Sequence, residues 1–219
     1  MSCQLAIFDL DGTILNTLDD LTNAVNYAMR QCGLPELGRM AVREFLGNGM
    51  KYLIYHSVPD GTAADVEEKA FNLFCSYYAD HCSINTRPYD GIFQLMDHLH
   101  EHGCKTAVVS NKGDFAVQTL IKQYFPDCFS IAVGEREKEG IRRKPAPDTV
   151  NAVLRELGID RENAVYIGDS EVDLATANNA DMRHILVTWG FRDSSFLIEK
   201  GGKTIVDTMQ ELEEEILRG

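Results

Sequence analysis

The chain has 219 residues, of which 44% are hydrophobic and 25% are charged, as is typical of one or two folded globular domains. Its formal net charge of −13 disfavours nucleic acid and anionic membrane as partners. No apolar run approaches the roughly 20 residues of a membrane-spanning helix, and the N-terminus lacks the pattern of a secretory signal, so we expect a cytoplasmic protein.

Short apolar runs recur along the chain, and each is followed by polar or turn residues. They predict buried strands at residues 5–8, 106–109, 131–133, 164–167 and 185–188. Amphipathic patterns predict helices at residues 92–102, 115–124, 149–157 and 174–180. This alternation predicts an α/β fold, with a three-layer Rossmann-like parallel sheet as its core.

One long segment, residues 16–84, interrupts the alternation. Its patterns predict helices at residues 18–32, 40–45, 51–58 and 63–82, with no convincing strand among them. We interpret it as a small helical cap domain inserted after the first strand. The core domain would then comprise residues 1–15 and 85–219. An acidic run at residues 211–215 predicts the solvated face of a final helix.

Polar side chains follow three of the predicted strands, where a parallel sheet usually binds its ligands. These residues are Asp9 and Asp11 after the first strand, Ser110 and Asn111 after the second, and Asp169, Ser170 and Asp173 after the fourth. Lys144 lies in the loop before the helix that leads to the fourth strand. The fold should bring all of them to one edge of the sheet.

Clustered carboxylates stay ionised together only if a cation holds them, and a few oxygen ligands with room for water and phosphate favour Mg²⁺. A carboxylate can attack phosphorus and form an aspartyl-phosphate. A second carboxylate two residues later can protonate the leaving oxygen and then activate water. Lys144 and Ser110 would hold the oxygens of the transferred phosphoryl group.

Four segments in this order resemble the motifs of the haloacid dehalogenase superfamily. They are Asp9-Leu10-Asp11-Gly12-Thr13, Ser110, Lys144-Pro145, and the stretch from Gly168 to Asp173. The resemblance implies that Asp9 is the nucleophile and Asp11 the general acid and base. It also implies Mg²⁺ held by the Asp9 side chain, the Asp11 backbone carbonyl and Asp169, with Asp173 as a ligand or just behind the ligands.

Two features narrow the chemistry within that superfamily. Its dehalogenases and phosphonate hydrolases lack the second acidic residue of the first motif, which this chain has as Asp11. Its sugar-phosphate mutases carry a histidine ten residues after that aspartate, where this chain has Leu21. The resemblance therefore favours a phosphomonoester hydrolase. A catalytically idle regulatory relative is the alternative, and the intact motifs argue against it.

The substrate prediction rests on similarity to phosphoglycolate phosphatases within that superfamily. The similar segments are residues 43–51, 87–91, 110–112 and 187–191. Phosphoglycolate is therefore the expected substrate, with inorganic pyrophosphate, a sugar phosphate or a nucleotide as alternatives. We expect a small-molecule phosphoester as the partner of a monomer or homodimer.

Substrate contacts are expected from motif residues and from a loop of the cap. In the motifs, these are Gly12, Thr13 and Asn111. In the cap loop, they are Gly47, Asn48, Gly49 and Lys51. The cap loop reads equally well as a plain turn or as a flexible segment whose backbone N–H groups meet an anion at a helix start.

Overall fold

The structure is a computed structural model that describes residues 3–218. Its strands are β1 (Leu5–Phe8), β2 (Leu15–Asn16), β3 (Arg87–Pro88), β4 (Lys105–Gly113), β5 (Ile131–Glu135), β6 (Ala164–Gly168), β7 (Arg183–Val187) and β8 (Ile205–Val206). Its α-helices are α1 (Leu18–Gln31), α2 (Arg39–Glu44), α3 (Met50–Ser57), α4 (Ala64–His81), α5 (Ile92–Glu101), α6 (Asp114–Tyr124), α7 (Asp148–Leu157), α8 (Glu171–Asn179), α9 (Ser194–Glu199) and α10 (Met209–Arg218). Over this range no helix is both long enough and apolar enough to cross a bilayer.

The main sheet has six parallel strands in the order β5-β4-β1-β6-β7-β8. Alternate residues of β1 point to opposite faces, because side chains alternate along a strand. Ala6 and Phe8 join one hydrophobic cluster with α5, α6 and α10, whereas Leu5 and Ile7 join another with α7. Helices therefore cover both faces of the sheet, which confirms the predicted α/β class.

The helices α1 to α4 occupy residues 18–81 and pack mainly on one another. In particular, α1 lies along α4 and α2, and α3 lies against α4. The two chain crossings between this helical segment and the sheet are held together by a short antiparallel pair. It joins Leu15 to Pro88 and Asn16 to Arg87.

Three differences from the sequence prediction have local causes. The second strand continues to Gly113 past a register shift, so Ser110 and Asn111 belong to β4 rather than to a loop. The helix α8 begins at Glu171 and not at Leu174, because Ser170 and Asp173 form a capping box. The two-residue strands β2, β3 and β8 are too short to produce a periodic signal.

Asp20, in the first turn of α1, fixes the second crossing. It is buried, and its carboxylate accepts hydrogen bonds from the backbone and side-chain amides of Asn85 at 2.8 to 2.9 Å and from Thr86 N at 2.8 Å. A buried carboxylate is tolerable only when it is bonded in this way. Asp20 thereby links the start of α1 to the chain segment that follows α4 and returns to the sheet.

Asp20→Ala should therefore lower the free energy of unfolding by about 3 kcal/mol, because it removes charge-assisted bonds and leaves the buried Thr86 N–H unpaired. The neighbouring Asp19→Ala is the matched control, since within residues 3–218 the side chain of Asp19 forms one exposed ion pair, with Arg39. It should cost less than about 1 kcal/mol. Urea denaturation of both variants measures the difference, and equal losses would contradict this role of Asp20.

Candidate active site

Asp9 directly follows β1, which lies in the interior of the sheet between β4 and β6. Its backbone amide donates to Ile167 O at 2.8 Å, so the pairing with β6 continues past the strand. The residues of β4 just beyond Val108 and the residues that follow β6 must therefore lie beside Asp9. The Asp9 side chain is almost completely buried, in a place where an isolated charge is costly.

Three carboxylates meet at this point. Oxygens of Asp9, Asp169 and Asp173 lie within 4.8 Å of one another, and all three residues are buried. Lys144 Nζ lies 2.9 Å from Asp9 Oδ1 and 2.8 Å from Asp173 Oδ1. When ionised, three carboxylates and one ammonium leave this cluster with two excess negative charges.

The excess charge appears in the pKa values. Burial raises the pKa of Asp9 to about 7, because Asp173 and Asp11 add to its effect and Lys144 offsets only part of it. Burial, with Asp173 and Asp9, also raises the pKa of Asp169 well above its usual range. Burial lowers the pKa of Lys144, but Asp173 and Asp9 overcome it and hold the pKa well above its usual value. The site thus favours a further cation.

The three carboxylates differ in how many hydrogen bonds they already accept from the protein. Asp173 accepts five hydrogen bonds, two on Oδ1 from Lys144 and Tyr166 and three on Oδ2 from Ser170 Oγ and the amides of residues 169 and 170. Asp9 Oδ1 is in contact with Lys144 but accepts no hydrogen bond from any described residue. Asp9 and Asp169 are therefore the side chains with capacity for a metal, and Asp173 orients Lys144.

The backbone at two glycines, Gly12 and Gly190, lies directly against the Asp169 side chain. A Cβ atom on Gly12 or on Gly190 would lie 2.3 Å from Asp169 Oδ2, far inside contact distance. Gly12 also has φ +84°, a conformation that favours glycine. Asp169 in turn accepts from Phe191 N at 2.6 Å and from Thr13 Oγ1 at 3.3 Å. The loop after β7 therefore closes one side of the cluster.

A small cavity of about 40 Å³ opens between Asp9 and the helical segment. Its lining residues are Asp9, Asp11, Leu21, Leu46, Gly47, Gly49, Met50, Leu53, Ser110, Asn111 and Lys112. Of the predicted substrate contacts, Gly47, Gly49 and Asn111 are thus placed at the cavity together with Ser110. Gly12, Thr13, Asn48 and Lys51 do not line it.

The residues outside the cavity have other partners. Thr13 binds Asp169, as described above. Lys51 is exposed, and its Nζ lies 5.8 Å from the centre of the Tyr55 ring. Arg43, which precedes the cap loop, is paired with Asp193 at 2.8 Å. Neither Lys51 nor Arg43 therefore lines this cavity.

Asn111 lines the cavity, but its amide group is engaged with the backbone. It donates to Gly47 O and to Lys144 O, each at 3.0 Å, and accepts from Lys144 N at 2.8 Å. One side chain thus ties the cap loop to the loop that carries Lys144. Asn111 therefore holds the backbone of Lys144 in place.

Sequence reasoning omitted three residues from the site. Lys112 Nζ contacts both carboxylate oxygens of Asp11, at 2.8 and 3.1 Å. Tyr166 OH bonds to Asp173 and accepts from Lys144. Arg192 donates to backbone carbonyls of residues 43, 44 and 46. The available signal was the position of Lys112, two residues after Ser110 on one strand, which tends to place both side chains on the same side.

The family model for haloacid dehalogenase-like hydrolases matches residues 6–187. The chain is 33% identical over 199 residues to a phosphoglycolate phosphatase of Neisseria meningitidis, covering 89% of this chain and 84% of that one. It is 29% identical over 215 residues to phosphoglycolate phosphatase 1 of Pseudomonas aeruginosa, covering 95% and 78%. A solved structure from Lactobacillus delbrueckii subsp. bulgaricus, provisionally named a phosphoglycolate phosphatase, is 41% identical, has a TM-score of 0.94 and covers both chains completely.

The excess negative charge predicts a stability effect in the absence of metal. In buffer with EDTA, Asp169→Asn should raise the melting temperature by about 2–4 °C, the equivalent of about 1 kcal/mol at this chain length. The reason is that it removes a buried acid whose raised pKa opposes folding at neutral pH, and that it keeps an oxygen to accept from Phe191 N. The exposed Asp80→Asn is the control and should change the melting temperature little. A lower melting temperature for Asp169→Asn would contradict this electrostatic account.

Proposed function

The chain belongs to the haloacid dehalogenase-like hydrolases and is a phosphatase of that family, and we propose that it hydrolyses 2-phosphoglycolate to glycolate and phosphate. The observation that carries the proposal is the placement of the Asp9 carboxylate. It lies beside Lys144 and Asp169 and at the floor of a cavity that also holds Asp11 and Ser110. A nucleophile, an acid and groups for phosphoryl oxygens are thereby close together.

In the proposed reaction, Asp9 attacks phosphorus, the bond from phosphorus to the leaving oxygen breaks, and Asp11 gives that oxygen its proton. Water then attacks the phosphorus of the aspartyl-phosphate, and Asp11 takes a proton from it. The bond between phosphorus and Asp9 breaks, which releases phosphate and restores both carboxyl groups. Ser110 and Lys144 would hold the phosphoryl oxygens throughout.

We propose Mg²⁺ as the cofactor, held by the side chains of Asp9 and Asp169 and by the backbone carbonyl of Asp11. When bound, Mg²⁺ supplies positive charge that stabilises the transferring phosphoryl group and orients it. Asp9 Oδ1 contacts Lys144 but accepts no hydrogen bond from the described residues, and this observation and the raised pKa values of Asp9 and Asp169 support the assignment. Asp173 would not bind the metal directly, because its oxygens already accept hydrogen bonds from Lys144, Tyr166 and the start of α8.

We further propose that residues 16–84 act as a cap that closes over the sheet domain and excludes water. Three contacts support this. The cap loop lines the cavity, Asn111 binds Gly47 O at 3.0 Å, and Arg192 binds Leu46 O at 3.0 Å. Leaving-group selection would then occur between the cap and the ends of the strands.

The choice of phosphoglycolate rests on the names of the relatives and on the apolar lining of the cavity. Leu21, Leu46 and Leu53 offer no hydrogen bonds to the hydroxyl groups of a sugar or a nucleoside. A panel of phosphate esters with Mg²⁺, ranked by kcat/KM, tests the choice. The panel should include phosphoglycolate, pyrophosphate, hexose phosphates and nucleoside monophosphates. A higher value for any of the others would reassign the substrate while leaving the chemistry.

Asp9→Asn tests the nucleophile. It should reduce kcat by several orders of magnitude, because an amide oxygen does not form the covalent intermediate. The fold should persist, since the substitution is nearly isosteric, and circular dichroism checks that it does. Turnover above about a hundredth of the wild-type rate would exclude Asp9. Beryllium fluoride, a phosphoryl mimic, should bind on Asp9 in a crystal of the wild-type protein.

Metal removal tests the cofactor. EDTA should abolish phosphatase activity, and Mg²⁺ in excess over EDTA should restore it. Ca²⁺ should inhibit, because it accepts bidentate oxygen ligands and would engage both oxygens of Asp9. Full activity in excess chelator would rule out a metal-dependent mechanism.

A further inference from the structure

The structure assigns a further role to Lys112: we infer that it binds an acidic group on the leaving part of the substrate and thereby releases Asp11 for proton transfer. This inference rests on the proposed phosphatase function and names a substrate class, which is short phosphate monoesters with a second anion. Lys112 would then be the residue that determines specificity for such esters.

Lys112 is held in an unusual environment for a lysine. It is 4% exposed, lies in β4 and reaches from the sheet towards the cap. Its Nζ contacts both oxygens of Asp11 and lies 4.6 Å from the centre of the Tyr78 ring, which belongs to α4. An ammonium in such a place requires an anion and gains from an aromatic face. Both partners are present, so the charge is held at a fixed position.

The lining of the cavity gives this ammonium a distinct position. Among the described residues that line the cavity, Lys112 is the one with a positive charge. Lys144 does not line the cavity, and its Nζ contacts Asp9, Asp173 and Tyr166. An anionic group of a leaving alcohol inside this cavity therefore meets Lys112, whereas Lys144 stays beside Asp9, where the phosphoryl group would be transferred.

The cap side of the cavity is apolar, so it limits the size of the leaving group but offers no side-chain hydrogen bonds to it. It consists of the side chains of Leu21, Leu46, Met50 and Leu53 and of two glycines in the cap loop. These apolar side chains offer no hydrogen-bond donor to a hydroxyl-rich sugar, whose buried hydroxyls would remain unpaired. A leaving group of two or three carbons with one terminal anion fits both the walls and the ammonium.

The pairing of Lys112 with Asp11 connects recognition to catalysis. In the structure Lys112 engages both oxygens of the carboxylate that the mechanism needs at the leaving oxygen. A carboxylate on the substrate can replace Asp11 as the partner of Lys112. Asp11 then loses its ion pair and can turn to the leaving oxygen. A substrate with an uncharged leaving group supplies no such replacement, so Asp11 stays paired with Lys112 and turnover is slow.

Two substrates that differ by one group test the inference. In ethyl phosphate a methyl group takes the place of the carboxylate of phosphoglycolate. Lys112→Met should lower the ratio of kcat/KM for phosphoglycolate to that for ethyl phosphate by on the order of 10- to 100-fold, the value of one charge-assisted hydrogen bond. For ethyl phosphate, kcat should rise, because Asp11 is no longer held. Lys112→Arg, which retains the charge, should retain part of the preference.

Lys122→Met is the matched control, since Lys122 is exposed on α6, and it should leave the ratio as in the wild type. An equal loss on both substrates in Lys112→Met would overturn the inference and make Lys112 a structural residue. A wild-type protein that hydrolyses neither ester, nor any of the panel above, would instead overturn the proposed function. The two failures are therefore distinct.

Binding provides a second measurement that does not depend on turnover or on full recovery of stability. In the inactive Asp9→Asn background, calorimetry with Mg²⁺ present should show that phosphoglycolate binds more tightly than ethyl phosphate. Adding Lys112→Met should remove most of that difference. Retention of the full difference would exclude contact between Lys112 and the carboxylate.

Discussion

The structure depends on one electrostatic constraint, which is the burial of like charges at the end of an interior strand. Asp9, Asp169 and Asp173 lie together in a place where water is scarce, and Lys144 supplies one counter-charge. Such a cluster is costly to the folded state, because burial and mutual repulsion both oppose ionisation. In the proposed function the same unsatisfied charge would attract Mg²⁺ and, through it, a phosphoryl group, which would offset the cost.

Much of the surrounding structure serves to hold this cluster in place. The capping box at the start of α8 engages Asp173 and turns it towards Lys144. Asn111 brackets the backbone on both sides of Lys144, and Gly12 and Gly190 allow two loops to close on Asp169. Each is a backbone device that positions a side chain. The precision of the site comes from these supports as much as from the reactive groups.

The main sheet, the helices on both of its faces and the core motif residues could be predicted from the sequence, because apolar runs and strand-end polar residues are local signals. The features that could not be predicted from the sequence depend on tertiary contacts. The direction of Lys51 is set by how α3 packs, and its charge faces Tyr55 and solvent rather than the cavity. The partner of Lys112 lies 101 residues away in the chain, so no local pattern indicates it. The strands β2, β3 and β8 exist only because a neighbour pairs with them.

The central place of β1 has a consequence for biosynthesis. Leu5 pairs with Lys105 on one side and with Ala164 on the other, so β1 leaves the ribosome about 100 residues before β4 and about 160 residues before β6. The helices α1 to α4 can pack before the rest of the chain has been made, because their contacts are mainly with one another. The nascent chain would thus carry a folded helical unit while β1 remains unpaired. That interval exposes the segment to aggregation and makes it a natural client for chaperones.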